Sequence, residues 1–203
     1  MKSVLISIQP QWCELIANGT KTIEVRKCAQ KEVPFKVYMY QTRHKCRCRI
    51  INEVLDGVYN SGKVIGEFIC DRVICCQAYY GNSGEKHLTN LFGIEVKQTC
   101  LTEEELFNYI VGNKKEGTGW LWHISDHKIY DEPKELGEFY YRLPEKVLEK
   151  GDYDCRKPWD CSCGDFPEGS DLCENCIFGG RVQLTRAPQS WQYVEVCEDC
   201  KAD

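Results

Sequence analysis

The feature that most limits how this chain can fold is a cysteine-rich segment from residue 151 to residue 180. Cys, Asp, Gly and Pro are dense in this segment, and the apolar periodicity seen elsewhere in the chain is absent. A segment of this composition cannot bury enough apolar surface to offset the entropy lost on folding. It therefore needs another source of order, and its cysteines indicate which one.

Two short cysteine motifs predict a zinc site in this segment. A C-x-C motif at 161–163 and a C-x-x-C motif at 173–176 are separated by nine residues. Four thiolates satisfy a closed tetrahedral zinc site, and metal binding then replaces the missing core. We therefore predict a structural zinc ion held by Cys161, Cys163, Cys173 and Cys176. Cys155, Cys197 and Cys200 remain alternative ligands, because residues 197–200 form a second C-x-x-C motif.

The remaining cysteines and the first residues bear on the cellular compartment. The chain has 15 cysteines, an odd number that cannot be paired completely within one chain. The opening apolar run is too short for a signal-peptide core, and no run reaches the roughly 18 apolar residues of a membrane span. We expect a cytoplasmic protein without membrane spans, whose cysteines are reduced thiols or metal ligands.

The charge of the chain is unevenly distributed. The formal net charge is -5, which argues against a uniformly basic nucleic-acid binder. Residues 1–50 nevertheless contain ten Lys/Arg and three Asp/Glu, whereas residues 51–150 contain 11 and 17 and residues 151–203 contain 5 and 11. This asymmetry predicts either an anionic partner for the N-terminal part or a solvated charged edge.

Apolar patterning outside the cysteine-rich segment predicts an α+β protein. A helix begins at Pro10, with Trp12, Leu15 and Ile16 at helical spacing, and Gly19 is its expected C-cap. A capping box at Thr102 begins a second helix. Strands are expected at 4–8, 37–41, 64–73, 120–124 and 191–196, and a short helix at 133–139. Since strands and helices do not alternate regularly, we predict a mixed β-barrel or sheet with flanking helices.

Residues 22–26 form the most informative strand. Apolar and polar residues alternate there, so Ile23 and Val25 share one face while Thr22, Glu24 and Arg26 share the other. The polar face therefore presents a carboxylate and a guanidinium side by side.

The same region carries a recognisable pattern. Residues 19–26 match G-x-K-x-x-E-x-R. Before this pattern, residues 7–10 and the apolar helix after them form an opening strand and helix; after it, residues 62–68 form a central strand. The chain thus resembles the ASCH domain, the activating signal cointegrator homology family, whose fold is a PUA-like β-barrel. Residues 119–124 and 189–191 resemble segments of a bacterial and phage branch, and the resemblance covers 1–73 and 118–141 best. It implies a barrel in 1–150, while the change in composition predicts a cysteine-rich, zinc-stabilised excursion in 151–188 and a returning strand and tail in 189–203.

The resemblance also implies a cleft that binds RNA or a nucleotide. Lys21 offers a point charge for phosphate, Arg26 a planar fork for phosphate or a base edge, and Glu24 an acceptor for an exocyclic amine. Trp12 and Trp122 could stack on bases, which contributes about 1–3 kcal/mol per base. Alternatively, Glu24 and Arg26 are a solvated pair and the tryptophans belong to the core. The expected binding residues are Gln9, Trp12, Lys21, Glu24, Arg26, Arg43, Lys45, Arg47 and Trp122.

Two other functions remain open. Some small bacterial members of the family remove the acetyl group of N4-acetylcytidine with the signature lysine, a threonine three residues later and a more distant glutamate. Lys21 matches, but Glu24 stands in place of the threonine, and Glu67, Glu85 and residues 103–105 all qualify as the glutamate. An amidohydrolase that uses Lys21 and Glu24 is therefore the second hypothesis. A zinc-containing adaptor for protein partners is the third.

Overall fold

The computed structural model describes residues 1–43, 61–91, 93–142 and 181–196. These residues form three helices, α1 (Pro10–Ala17), α2 (Gly93–Gln98) and α3 (Glu103–Val111), and one 3₁₀ helix at Leu136–Glu138. The strands of the same residues are β1 (Ser3–Ile8), β2 (Ile23–Arg26), β3 (Phe35–Gln41), β4 (Val64–Cys70), β5 (Val73–Tyr80), β6 (Lys86–Leu88), β7 (Glu116–His123), β8 (Ser125–Lys134), β9 (Phe139–Arg142), β10 (Arg181–Gln183), β11 (Trp191–Tyr193) and β12 (Glu195–Val196).

The described strands assemble into three sheets. A five-stranded sheet has the order β11-β1-β3-β4-β8, a four-stranded sheet has the order β2-β7-β5-β6, and a three-stranded sheet has the order β10-β9-β12. Within the five-stranded sheet β1 and β3 are parallel, whereas β3 and β4 are antiparallel. The predicted mixed, mainly β architecture is therefore confirmed, while closure of the sheets into one barrel stays a prediction.

Local sequence signals account for the helix ends. Pro10 occupies the first turn of α1, which ends at Ala17; the C-cap is Asn18 rather than the predicted Gly19, which follows it with a φ of 76°. Glycine adopts this left-handed conformation without the steric penalty of a Cβ, which is why the helix ends there. The predicted capping box at α3 is present, with the Thr102 hydroxyl accepting from the Glu105 N–H at 3.2 Å.

The four-stranded sheet separates two apolar cores. Ile23 and Val25 of β2 lie on one face with Leu121 of β7 and pack against α3. Two glycines of β7 allow this close packing, since a Cβ on Gly117 would lie 2.5 Å from the Ile110 carbonyl oxygen of α3. The opposite face of the sheet is directed toward the core of the five-stranded sheet.

Two predicted segments, the strand at 64–73 and the helix at 133–139, differ from the structure in their bounds. Residues 64–73 form β4 and the start of β5, which are separated by a break at Asp71 and Arg72. Residues 133 and 134 still belong to β8, so only 136–138 of the predicted 133–139 helix is helical, as a 3₁₀ turn.

The chain returns to the main sheet near its C-terminal end, as predicted. Trp191 of β11 pairs with Ile6 of β1. Before that, β10 already pairs with β9, so residues 181–183 belong to a sheet. The predicted zinc ligands Cys161, Cys163, Cys173 and Cys176 and their alternatives Cys155, Cys197 and Cys200 lie outside the described residues. Among the helices that the structure describes, none has the length and apolarity to cross a membrane.

Candidate functional site: a charged tryptophan cluster

Three charged side chains of the signature meet in the interior. The Lys21 ammonium lies 3.5 Å from Glu24 Oε2, and Arg26 Nη2 lies 2.9 Å from Glu24 Oε1. Lys21, Glu24 and Arg26 expose only 3%, 7% and 7% of their surface. The alternation along β2 therefore places Glu24 and Arg26 on one face as predicted, but this face is buried rather than solvated.

Backbone carbonyls also accept hydrogen bonds from both cations. Lys21 Nζ donates to the Thr99 carbonyl at 2.6 Å, in the link between α2 and α3. Arg26 donates from Nη2 to the Ser7 carbonyl at 2.9 Å and from Nη1 to the Ser190 carbonyl at 3.4 Å. The two cations thus connect β2 to the end of β1, to the α2–α3 link and to the loop that precedes β11.

Four tryptophans lie next to these charges. Lys21 Nζ lies 5.2 Å from the centre of the Trp12 ring, a cation–π distance. Across the β2–β7 ladder, Glu24 faces Trp122 and Arg26 faces Trp120, and side chains directly opposite in a ladder share a face. Trp191 meets Trp122 edge-on at 6.0 Å. We call the set of Lys21, Glu24, Arg26, Trp12, Trp120, Trp122 and Trp191 the charged tryptophan cluster.

The tryptophans of the cluster differ in exposure. Trp122 is 0% exposed and packs edge-on against Phe35 at 5.0 Å. Trp12, Trp120 and Trp191 are half-buried at the border of the same core. Only these three therefore have ring surface available to a stacking base.

Two nitrogen donors of the cluster lack partners within the described part of the chain. The Arg26 Nε–H and the Trp122 Nε1–H are buried and find no acceptor there, and the buried Thr22 hydroxyl also lacks a partner. Unsatisfied buried donors are rare in folded proteins and each is costly. Within the described residues, both donors are thus available to an added acceptor.

The formal charge of the cluster within the described residues is +1, because the titratable groups beside it are neutral. Burial raises the pKa of the Cys13 thiol, and the Glu24 carboxylate raises it further, against a smaller opposing effect of Arg26. Burial also raises the pKa of the Tyr109 hydroxyl, on which the Arg26 and Glu24 charges act in opposite directions. Both groups are neutral at pH 7, so Glu24 supplies the one carboxylate that Lys21 and Arg26 contact within the described residues.

Two further predicted binding residues, Gln9 and Arg43, lie near one end of the five-stranded sheet. Gln9 is exposed just before α1, and Arg43 is exposed just after β3. The Thr42 N–H donates to the Ile8 carbonyl at 2.8 Å, which brings the two chain segments together. This end adjoins Ser7, whose carbonyl binds Arg26. Lys45 and Arg47 lie outside the described residues.

The glutamates proposed for an amidohydrolase lie elsewhere. Glu67 accepts from Tyr130 at 2.6 Å and from Lys36 at 2.9 Å, on the face of the five-stranded sheet away from the cluster. Burial acts to raise the pKa of Glu67, but the bonds from Tyr130 and Lys36 outweigh it and the pKa is lowered. Glu85 lies 3.3 Å from His87, whereas Glu104 and Glu105 bind Lys86 and the Thr102 cap.

Sequence reasoning missed Trp120, Trp191 and the carbonyls of Ser7, Thr99 and Ser190. The signal for Trp120 was present, because Trp120 and Trp122 are two residues apart in a strand and therefore share a face. Nothing in the sequence indicated the carbonyls. Among residues 1–43, 61–91, 93–142 and 181–196, no three His, Cys, Asp or Glu side chains come together as a metal site.

No protein-family model matches the sequence, and no curated protein matches it. The structure is similar over nearly its full length to solved structures of ASCH from Zymomonas mobilis. The unmodified protein has a TM-score of 0.49 and 15% identity, covering 96% of this chain and 88% of that chain. A Tyr-to-Phe mutant has a TM-score of 0.49 and 15% identity, covering 96% and 91%. A Ser-to-Ala mutant has a TM-score of 0.48 and 14% identity, covering 96% and 89%.

Proposed function

We propose that this protein recognises RNA or a nucleotide at the charged tryptophan cluster. The observation that carries the proposal is the meeting of two buried cations, one carboxylate and four tryptophans between two sheets. Cations suit phosphate, and tryptophan faces suit bases, so this combination matches the two chemical parts of a nucleotide.

Each part of the cluster has a role in this proposal. Lys21 and Arg26 supply positive charge for a phosphate, while Glu24 holds both cations in place. Trp12, Trp120 and Trp191 offer partly exposed ring surface to a base. A base stacked on one of them would contribute about 1–3 kcal/mol.

In this proposal Arg43, Lys45 and Arg47 extend the contacts along an RNA backbone. Arg43 is exposed beside the end of β1 that contacts Arg26, and Lys45 and Arg47 follow it in the sequence. Each contact between such a cation and a phosphate of single-stranded RNA contributes about 0.7 to the slope of log affinity against log salt. A flat salt response would therefore remove these residues from the proposal.

The test is fluorescence anisotropy of a labelled pool of short single-stranded RNAs, supported by tryptophan quenching with nucleotides. Lys21→Ala should weaken binding by about tenfold or more, because a hydrogen bond to a charged group is lost. The matched control is Lys86→Ala, which removes an exposed lysine paired with Glu104 on the far edge of the four-stranded sheet. Equal affinities of the wild type and both variants would contradict the proposal.

The same proteins test the amidohydrolase hypothesis. Both oxygens of Glu24 lie near cations. Glu67, one candidate for the third residue of an amidohydrolase, contacts Tyr130 instead. Release of an acid from an N4-acylated cytidine by the wild type, lost in Lys21→Ala, would favour that hypothesis over recognition alone. The adaptor hypothesis predicts instead a protein partner that depends on Cys173 or Cys176, with no affinity for RNA.

A further inference from the structure

We infer that the charged tryptophan cluster receives an anionic oxygen, namely a phosphate oxygen of the nucleotide, between the Arg26 Nε–H and the Trp122 Nε1–H. The inference rests on the proposed function and deepens it, because it names the part of the nucleotide that enters the interior.

The first step is the pair of unpartnered donors. Trp122 is fully buried and Arg26 nearly so, yet neither the indole N–H nor the guanidinium Nε–H has an acceptor within the described residues. Both residues lie on the same face of neighbouring strands, since Arg26 is two residues beyond Glu24, the partner of Trp122 in the ladder. Such diagonal positions are within reach of long and aromatic side chains. The two unpartnered donors therefore belong to one buried face of the β2–β7 pair, and the inferred oxygen binds between them.

The second step is the charge of the acceptor. Within the described residues, the carboxylate of Glu24 balances one of the two buried cations, and the carbonyls that bind Lys21 and Arg26 are neutral. A neutral acceptor would leave the charge of +1 uncompensated in the interior. An oxyanion neutralises this charge and also forms charge-assisted hydrogen bonds, which are roughly twice as strong as neutral ones. The electrostatics therefore favour phosphate over a base carbonyl at this position.

The third step is the position of the rest of the nucleotide. Trp191 contacts Trp122 at 6.0 Å and follows Ser190, whose carbonyl accepts from Arg26. Trp12, Trp120 and Trp191 are half-buried, so they connect the interior donors to the protein surface. The phosphate accordingly lies at the inner end of the site and the base lies among the three half-buried rings.

The experiment is calorimetric titration of the full chain with a nucleoside monophosphate, with the nucleoside that lacks the phosphate, and with inorganic phosphate. The wild type should bind the monophosphate about tenfold or more tightly than the nucleoside. Trp122→Phe removes the indole N–H and retains an aromatic ring, so it should abolish this difference without weakening the nucleoside. Arg26→Lys, which keeps the charge and removes Nε, is the second variant and should act in the same direction.

Each outcome separates this inference from the proposed function. Equal affinities of the wild type for nucleoside and monophosphate would overturn the inference and leave nucleotide recognition intact. Unchanged monophosphate binding in both variants, shown to be folded by thermal melting, would also overturn it, because the donors would then face only internal water. Binding of inorganic phosphate that depends on Trp122, without any added affinity from a nucleoside, would support the anion site and overturn the nucleotide function.

Discussion

Replacing Glu24 by Gln tests whether the buried charges are organised around one carboxylate. The substitution preserves the size of the side chain but removes the negative charge between Lys21 and Arg26, which lie 3.5 Å and 2.9 Å from its oxygens. The formal charge of the cluster then rises from +1 to +2, with both cations still buried. Removal of one partner from a buried ion pair destabilises a protein by about 3–5 kcal/mol.

The measurement is urea unfolding at pH 7, together with thermal melting. For a chain of this size the loss corresponds to a decrease in Tm of about 6–20 °C, since 1 kcal/mol shifts Tm by about 2–4 °C. The matched control is Glu32→Gln, because Glu32 pairs with Lys2 at 3.0 Å while both side chains are largely exposed. An exposed pair contributes about 0–1 kcal/mol, so the control should be nearly neutral.

Added phosphate supplies a second readout from the same protein. An anion should stabilise Glu24→Gln more than the wild type, because the variant has more uncompensated positive charge in the cluster. A loss of stability in Glu24→Gln no larger than in Glu32→Gln would refute the reasoning, since the carboxylate would then contribute no more than an exposed one.

Three further predictions concern other parts of the molecule. Because the pKa of Glu67 is lowered in the folded protein, its carboxylate stabilises the fold above pH 4.5, the ordinary pKa of glutamate. This contribution is lost as the pH falls below 4.5. The stability difference between wild type and Glu67→Gln in urea should therefore shrink between pH 6 and pH 3, and a constant difference would contradict the pKa assignment. Gly117→Ala should destabilise the fold by about 1–3 kcal/mol through the clash with α3, whereas Gly93→Ala, with open space at its Cβ, should not; equal melting curves would contradict this packing. Elemental analysis should find one zinc per chain, reduced by Cys173→Ser, and a metal-free wild type would contradict the zinc site.

Several strand and helix positions were predictable from local sequence patterns, whereas α2, β6, β8, β9 and β10 were not predicted. The apolar spacing after Pro10 predicted α1, and the capping box at Thr102 predicted the start of α3. The break at Asp71 and Arg72 escaped prediction, because the apolar residues on either side form a nearly continuous run. Such a run does not reveal whether one strand or two contain it.

The grouping of Glu24 with Arg26 was also determined by the sequence alone. Residues two positions apart in a strand share a face in any fold, because side chains alternate with a period of two. Only the tertiary structure decided that this face is buried. Polar strand faces are usually solvated, and nothing local indicates that another sheet will cover one.

The tertiary structure likewise decided what surrounds the two charges. The antiparallel register of β2 with β7 places Trp120 and Trp122 beside the two charges. The pairing of β11 with β1 places Trp191 there as well. These pairings join segments that are far apart in the chain, and they depend on how whole sheets pack. The sequence by itself therefore determined which charged groups stand together, while long-range strand pairing decided that they meet four tryptophans in the interior.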